Sequence, residues 1–280
     1  MNDCVLDILK GSYDLQVHVG LDPIHEGRMD ALDCSRHSYE SGLAGFVFKS
    51  DEYPTSSSAF MLNKIYPGLK IIGSITLNKS VGGLNPDALV SAARTGAKIV
   101  WMPTNDANNF TTSQEGMEGI GVVDAEGSLL PDVHTILSLV KEYDLVLASG
   151  YISPKETYIL FKAGAKLGID KMIVTDYDTR SLSYSDQENL SSLGVFIEYT
   201  LKTCMPSMAP KLRNNFTDMV RNIRRYGVEH CVVSSGLGQW TNPPPAEGLR
   251  MLIAGLLQGG LEPEKVSALV KSNPKYLLNV

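Results

Sequence analysis

Gln16 and His18 stand two apart in the segment Tyr13-Asp-Leu-Gln-Val-His-Val19, near the N-terminus. Side chains two apart on a β-strand point to one side, so this pair faces the inside of whatever the strand helps to enclose. A His-x-His pair there would be half of a metal site. Gln-x-His offers one imidazole and one amide instead. Other chemistry-bearing residues recur at the ends of later apolar runs. They are Lys49-Ser50-Asp51, Thr76 with Asn78, Trp101 with Thr104, Ser149-Gly150-Tyr151, Thr175-Asp176-Tyr177, Glu198 and Ser234-Ser235-Gly236. A carboxylate can take a proton, a tyrosine or histidine can give one, and a lysine can stabilise an enolate or oxyanion. The alternative for the same charges is an ion-pair network that only holds the fold closed.

The elements that must position these residues follow from periodicity. Short apolar or β-branched runs predict strands at 13–19, 45–51, 70–77, 98–103, 145–149, 171–176, 195–200 and 230–235. Amphipathic spacing predicts helices at 30–43, 56–66, 86–96, 131–143, 154–167, 185–193, 210–226, 244–258 and 262–271. Pro86, Pro131 and Pro154 fall at helix starts, and Gly96 and Gly168 just past helix ends. Runs such as Lys98-Ile-Val-Trp-Met are apolar throughout, as strands covered on both faces are. Eight strands alternating with helices predict parallel pairing and right-handed crossovers. The fold class expected is α/β, a (β/α)8 barrel over residues 1–280 as one domain. No glycine-rich dinucleotide fingerprint follows the first strand, which speaks against an open sheet. In such a barrel the site lies at the C-terminal strand ends, where the residues above fall. One connection, 105–130, is long. It holds a small hairpin turning at Ala125-Glu126-Gly127 and is expected to close over the site while adding little to stability.

Composition narrows the classes. The chain has 280 residues, 43% hydrophobic and 20% charged, with a net charge of −6. No basic run tracks a phosphate backbone, so nucleic acid is not an expected partner. Arg221, Arg224 and Arg225 have helical spacing and read as a solvated face. Four dispersed cysteines with no C-x-x-C pair signal neither a zinc cage nor a disulfide framework. With no signal peptide and no long apolar run, the expectation is a cytoplasmic protein without a membrane partner. A homo-oligomer is compatible with this.

Several segments together resemble the amidohydrolase-type metal-dependent hydrolases, and more closely an uncharacterised branch of that superfamily. They are Asp14-Leu-Gln-Val-His18 with Pro23, Phe48-Lys-Ser-Asp51, Leu77-Asn78 with Val81-Gly-Gly-Leu-Asn-Pro86, and Val100-Trp-Met-Pro-Thr104. Ala148-Ser-Gly-Tyr151, Val174-Thr-Asp176, Ser234-Ser-Gly-Leu-Gly238 and Asn273-Pro-Lys-Tyr-Leu-Leu278 continue the likeness over almost the whole chain. The resemblance implies a barrel whose metal ligands are histidines on strands one, five and six and an aspartate on strand eight. Here Gln16 replaces the first histidine, Asp51 ends the second strand where that branch has histidine, Tyr151 and Asp176 stand on strands five and six, and Ser235-Gly236 supplies no carboxylate. His18 alone is unchanged.

These replacements leave too few donors for a tight metal site, so no metal and no cofactor is expected. The reading is a metal-independent enzyme performing acid–base chemistry on a small organic substrate: a lyase, isomerase, cyclase or hydrolase step, such as biosynthesis uses. His18, Lys49, Asp51, Tyr151, Asp176 and Glu198 are the catalytic candidates. His18 and Asp176 are the best acid/base groups, Lys49 an electrostatic stabiliser and Tyr151 a proton donor. Lys49 could also form a Schiff base or a salt bridge to Asp51. Gln16, Asn78, Trp101, Thr104, Tyr177 and Trp240 are the substrate-binding candidates. Two alternatives stand beside this. One is a metal-dependent hydrolase using Gln16, His18, Asp51 and Asp176 as an atypical N/O ligand set. The other is a non-catalytic protein that binds a small molecule in the same pocket.

Overall fold

A computed structural model describes residues 2–22, 26–114, 118–175, 182–210 and 213–280. Eight strands run β1 (Tyr13–His18), β2 (Gly45–Lys49), β3 (Lys70–Thr76), β4 (Ala97–Trp101), β5 (Val146–Ala148), β6 (Met172–Val174), β7 (Phe196–Thr200) and β8 (Cys231–Ser234). They form one sheet in sequence order, and the registered pairs are parallel. This is the α/β, (β/α)8 barrel class that the alternation predicts. Residues of both strand faces are buried, as the continuous apolar runs require.

The helices are α1 (Asn2–Leu9), α2 (Ala31–Glu40), α3 (Ser56–Ile65), α4 (Pro86–Arg94), α5 (Asn108–Gln114) and α6 (Pro131–Glu142). They continue with α7 (Pro154–Lys166), α8 (Tyr184–Ser191), α9 (Phe216–Tyr226), α10 (Pro245–Gln258), α11 (Pro263–Val270) and α12 (Ser272–Leu278). Pro86, Pro131 and Pro154 open their helices, where the missing N–H has no intrahelical partner to lose. Asn85 caps α4 by accepting from Ala88 N at 3.1 Å, and Gly96 and Gly168 take positive φ just past α4 and α7. The short α1, α5 and α12 are not foreseen by periodicity. α5 is Asn-Asn-Phe-Thr-Thr-Ser-Gln, with no apolar stripe to announce it. No helix among the described residues is long and apolar enough to cross a membrane.

By contact the chain forms two compact units. The first comprises 1–50, 58–72 and 198–280, the second 51–57 and 73–197. Within the first, β1 pairs with β2 on one side and meets β8 on the other. Gly236 N donates to Gln16 O at 3.0 Å and His18 N to Leu237 O at 2.8 Å. Its core includes Leu15, Val17, Phe46, Phe48, Val232, Leu249 and Ile253, all nearly inaccessible. The second unit holds a core of Ile75, Val100, Met102, Ile136, Leu147, Phe161 and Val174.

The long connection after β4 corrects one expectation. Its hairpin is present: Val123 bridges Leu129 antiparallel, and Asp124 N donates to Ser128 O at 2.8 Å. Yet Ala107 and Val122 are fully buried in the core of the second unit. Val122 N also donates to Glu156 Oε1 at 3.0 Å. The segment is a packed wall of that unit, so shortening it removes core and cannot leave stability intact.

Candidate functional site

In the first unit Gln16 and His18 lie in the C-terminal half of β1, Lys49 ends β2 and Glu198 stands midway along β7. His18 is the register partner of Lys49 across the β1–β2 pair, which sets imidazole and ammonium side by side on neighbouring strand ends. Gln16 Nε2 lies 3.1 Å from His18 Nε2. The donor and acceptor roles in this contact follow the tautomer of the ring. Gln16 Oε1 is buried with no hydrogen-bond partner among the described residues. Lys49 is 1% exposed and Glu198 2%. Glu198 Oε1 accepts from Ser234 Oγ at 2.7 Å across β7 and β8, a short bond of the kind a charged acceptor makes.

The end of β8 is bent around β1 by two glycines. Gly236 has φ +65 and Gly238 φ +149, and a Cβ on Gly238 would lie 1.3 Å from His18 O. Only glycine permits that approach. Trp240, just beyond, is 59% exposed; its N–H donates to Glu26 O and its carbonyl accepts from Arg28.

Sequence reasoning missed Asp14. It is wholly buried in β1. Its Oδ1 accepts from Ser235 N at 3.0 Å and Gln16 N at 3.3 Å, tying the β8 turn to the bulge between Asp14 and Val17. Oδ2 has no partner among the described residues. Burial pushes its pKa up to about 6 against the opposing pull of the Ser235 and Gln16 hydrogen bonds. A carboxylate in a strand otherwise made for burial is the signal that could have found it.

The sign of its effect on stability follows. A folded-state pKa above the unfolded value means that the native state holds the proton more tightly. Stability from this group is therefore full below pH 3.8 and is lost as pH rises through about 6. A two-unit rise corresponds to about 3 kcal/mol. Asp14→Asn cannot titrate, so its unfolding free energy should lack this fall between the two values. Urea unfolding of both proteins across that range measures the difference. Parallel pH profiles would show that Asp14 is not the group responsible.

In the second unit Asp51, Asn78 and Thr104 form one network. Asn78 Nδ2 donates to Asp51 O at 2.9 Å and to Thr104 Oγ1 at 2.8 Å. Thr104 N donates to Asn78 Oδ1 at 2.8 Å, and Thr104 Oγ1 to Asp51 Oδ1 at 2.9 Å. Both amide protons of Asn78 are thus engaged within the protein, bracketing the ends of three consecutive β/α units. Asn78→Ala should cost about 3 kcal/mol by leaving buried partners unpaired. Chemical denaturation tests this, and an unchanged midpoint would deny the bracket its role.

Tyr151 is 7% exposed. Its N–H donates to Pro103 O, and its ring lies on Phe110 of α5 with centroids 5.5 Å apart. Gly150 before it has φ +64, and a Cβ there would fall 2.2 Å from Met102 O. Trp101 is 2% exposed within β4. Asp176 and Tyr177 lie outside the described residues.

The sheet order defines the class: an α/β, (β/α)8 barrel. The chain superposes on solved barrels of amidohydrolase-like fold. Against the probable dipeptidase PvdM of Pseudomonas aeruginosa the TM-score is 0.68 at 13% identity, covering 99% of this chain and 97% of that one. Against an amidohydrolase of Pseudomonas aeruginosa it is 0.64 at 13% identity, covering 99% and 97%. Against YJJV, a TatD homolog of Escherichia coli K12, it is 0.61 at 13% identity, covering 97% and 99%. The chain belongs to the family of unknown function DUF6282, whose model matches residues 11–198. No curated protein matches the sequence.

A metal is implied by this fold's hydrolases, and the described residues do not fit one. No three His, Cys, Asp or Glu side chains among them are grouped as ligands. His18 Nε2 faces an amide nitrogen rather than an open position. The thiols offer no substitute: burial pushes Cys34 up to about 12 and raises Cys231 as well, so both stay protonated.

Proposed function

We propose that the protein is a metal-independent enzyme that performs acid–base chemistry on a small organic substrate at the strand ends. The observation that carries this reading is the set of buried Gln16, Lys49 and Glu198 with half-buried His18 in the first unit. Burying ionisable groups is costly, and a fold does not need this many at its strand ends for stability alone. His18 is the acid/base group. Lys49 supplies positive charge for a developing enolate or oxyanion. The unpartnered Gln16 Oε1 is an acceptor for a substrate N–H or O–H. Glu198, oriented by Ser234, supplies a second base. Asp51 and Tyr151 remain candidates from the second unit, and Asp176 joins them by its place after β6. The reaction is a lyase, isomerase, cyclase or hydrolase step.

A panel of small lactones, amides and hydroxy or keto acids, assayed by mass change and by solvent deuterium uptake, tests this. Turnover or exchange is expected in the wild type and a loss of at least about a hundredfold in His18→Asn. Turnover that survives that substitution would remove His18 from the reaction.

A further inference from the structure

We propose that the outer face of α2 and α3 is the seat of a second copy of this chain, in a two-fold symmetric dimer. α3 holds Ser56, Ser57, Ser58, Asn63 and Lys64, yet carries large apolar side chains on two sides. Ala59 and Leu62 are buried on its inner side, while Phe60, Met61 and Ile65 are 60%, 65% and 55% exposed on its outer side. Large apolar side chains grouped on an exposed helix face mark an interaction surface. α2 adds Leu32 and Tyr39, 47% and 49% exposed. The two helices are neighbours here: the Tyr39 and Tyr66 rings are 5.8 Å apart, and Tyr66 OH donates to Leu32 O at 3.5 Å. The apolar side chains therefore form one face rather than scattered points.

Two observations choose the occupant. The first is charge. The chain carries a net −6, so two copies meet most readily where carboxylates are few. The outer side of α3 has none, and α2 adds Asp33, already paired with Arg36 at 2.7 Å, and the exposed Glu40. The one cation of α3, Lys64, lies over the Phe60 ring at 4.6 Å, where it shields apolar surface rather than seeking an acid. The second is area. Side chains half exposed leave on the order of 100 Å² each in water. Five of them, matched by the same five from a symmetric partner, bury about 1,000 Å² of apolar surface before any rim is counted, the size at which a contact becomes specific. A self-complementary patch on a two-fold axis is the commonest way a chain meets itself. This inference stands apart from the proposed chemistry.

Sedimentation velocity of the full chain over a range of micromolar concentrations tests it. The expected result is a species of twice the chain mass. Phe60→Glu should weaken the dimer on the order of a hundredfold, because each copy brings its charge into the apolar contact. The position is exposed, so folding is retained, and a melt verifies this. If Phe60→Glu lowers the melting temperature, Met61→Lys carries the same test from the neighbouring position. A wild type that stays monomeric overturns the proposal, whatever else covers the face. So does a dimer that both variants leave unchanged, or growth beyond two copies, which needs a contact that is not two-fold.

Discussion

Gly238→Ala should cost at least about 4 kcal/mol and yield a protein largely unfolded at physiological temperature. The new Cβ would sit 1.3 Å from His18 O, a backbone atom that cannot step aside as a side-chain tip can. The φ of +149 adds strain of its own for any residue with a Cβ. Relief requires moving either β1 at His18 or the chain after β8. Either movement breaks the His18 N to Leu237 O bond at 2.8 Å and the Arg28 N to Gly238 O bond at 2.7 Å. Urea denaturation followed by circular dichroism measures the loss. A variant that unfolds at the wild-type midpoint would mean that β8 and β1 do not meet as described.

Glu198→Gln should lower turnover by at least about a hundredfold. The substitution keeps shape and keeps an oxygen to accept from Ser234 Oγ, now 2.7 Å from the carboxylate. It removes only charge and basicity. Stability decides between the two readings of these buried ions. If the group serves catalysis, removing a carboxylate that is 2% exposed relieves desolvation and leaves the melting temperature equal or higher. If it belongs to a network that holds the strands together, the same change leaves buried partners alone and costs about 3–5 kcal/mol. Turnover and melts of one variant therefore separate function from scaffold.

The fold was legible because its signals are local. Each strand is a short apolar run bounded by turn residues, and seven of the eight observed strands fall within those runs, β4 starting one residue earlier at Ala97. Three helices open at the prolines that announced them. The candidate site was legible in part. His18 and Lys49 could be placed at adjacent strand ends from order alone, and the structure registers them as partners. Asp14 was not, because the bulge between it and Val17 breaks the two-residue alternation on which the reading of β1 depends. Asn78 and Thr104 look like substrate contacts in a list of strand ends. Their hydrogen bonds to each other and to Asp51 are tertiary facts that no spacing reveals. The burial of Val122 within a connection expected to close over the site is of the same kind.

The central claim is acid–base turnover by the protein's own side chains. Its most direct test measures rate and metal content on one sample, purified without chelator and then treated with one. The account predicts that a substrate found in the panel is turned over at an unchanged rate while elemental analysis finds far less than one zinc, manganese or iron per chain. A rate that falls with the metal and returns when the metal is restored would contradict it.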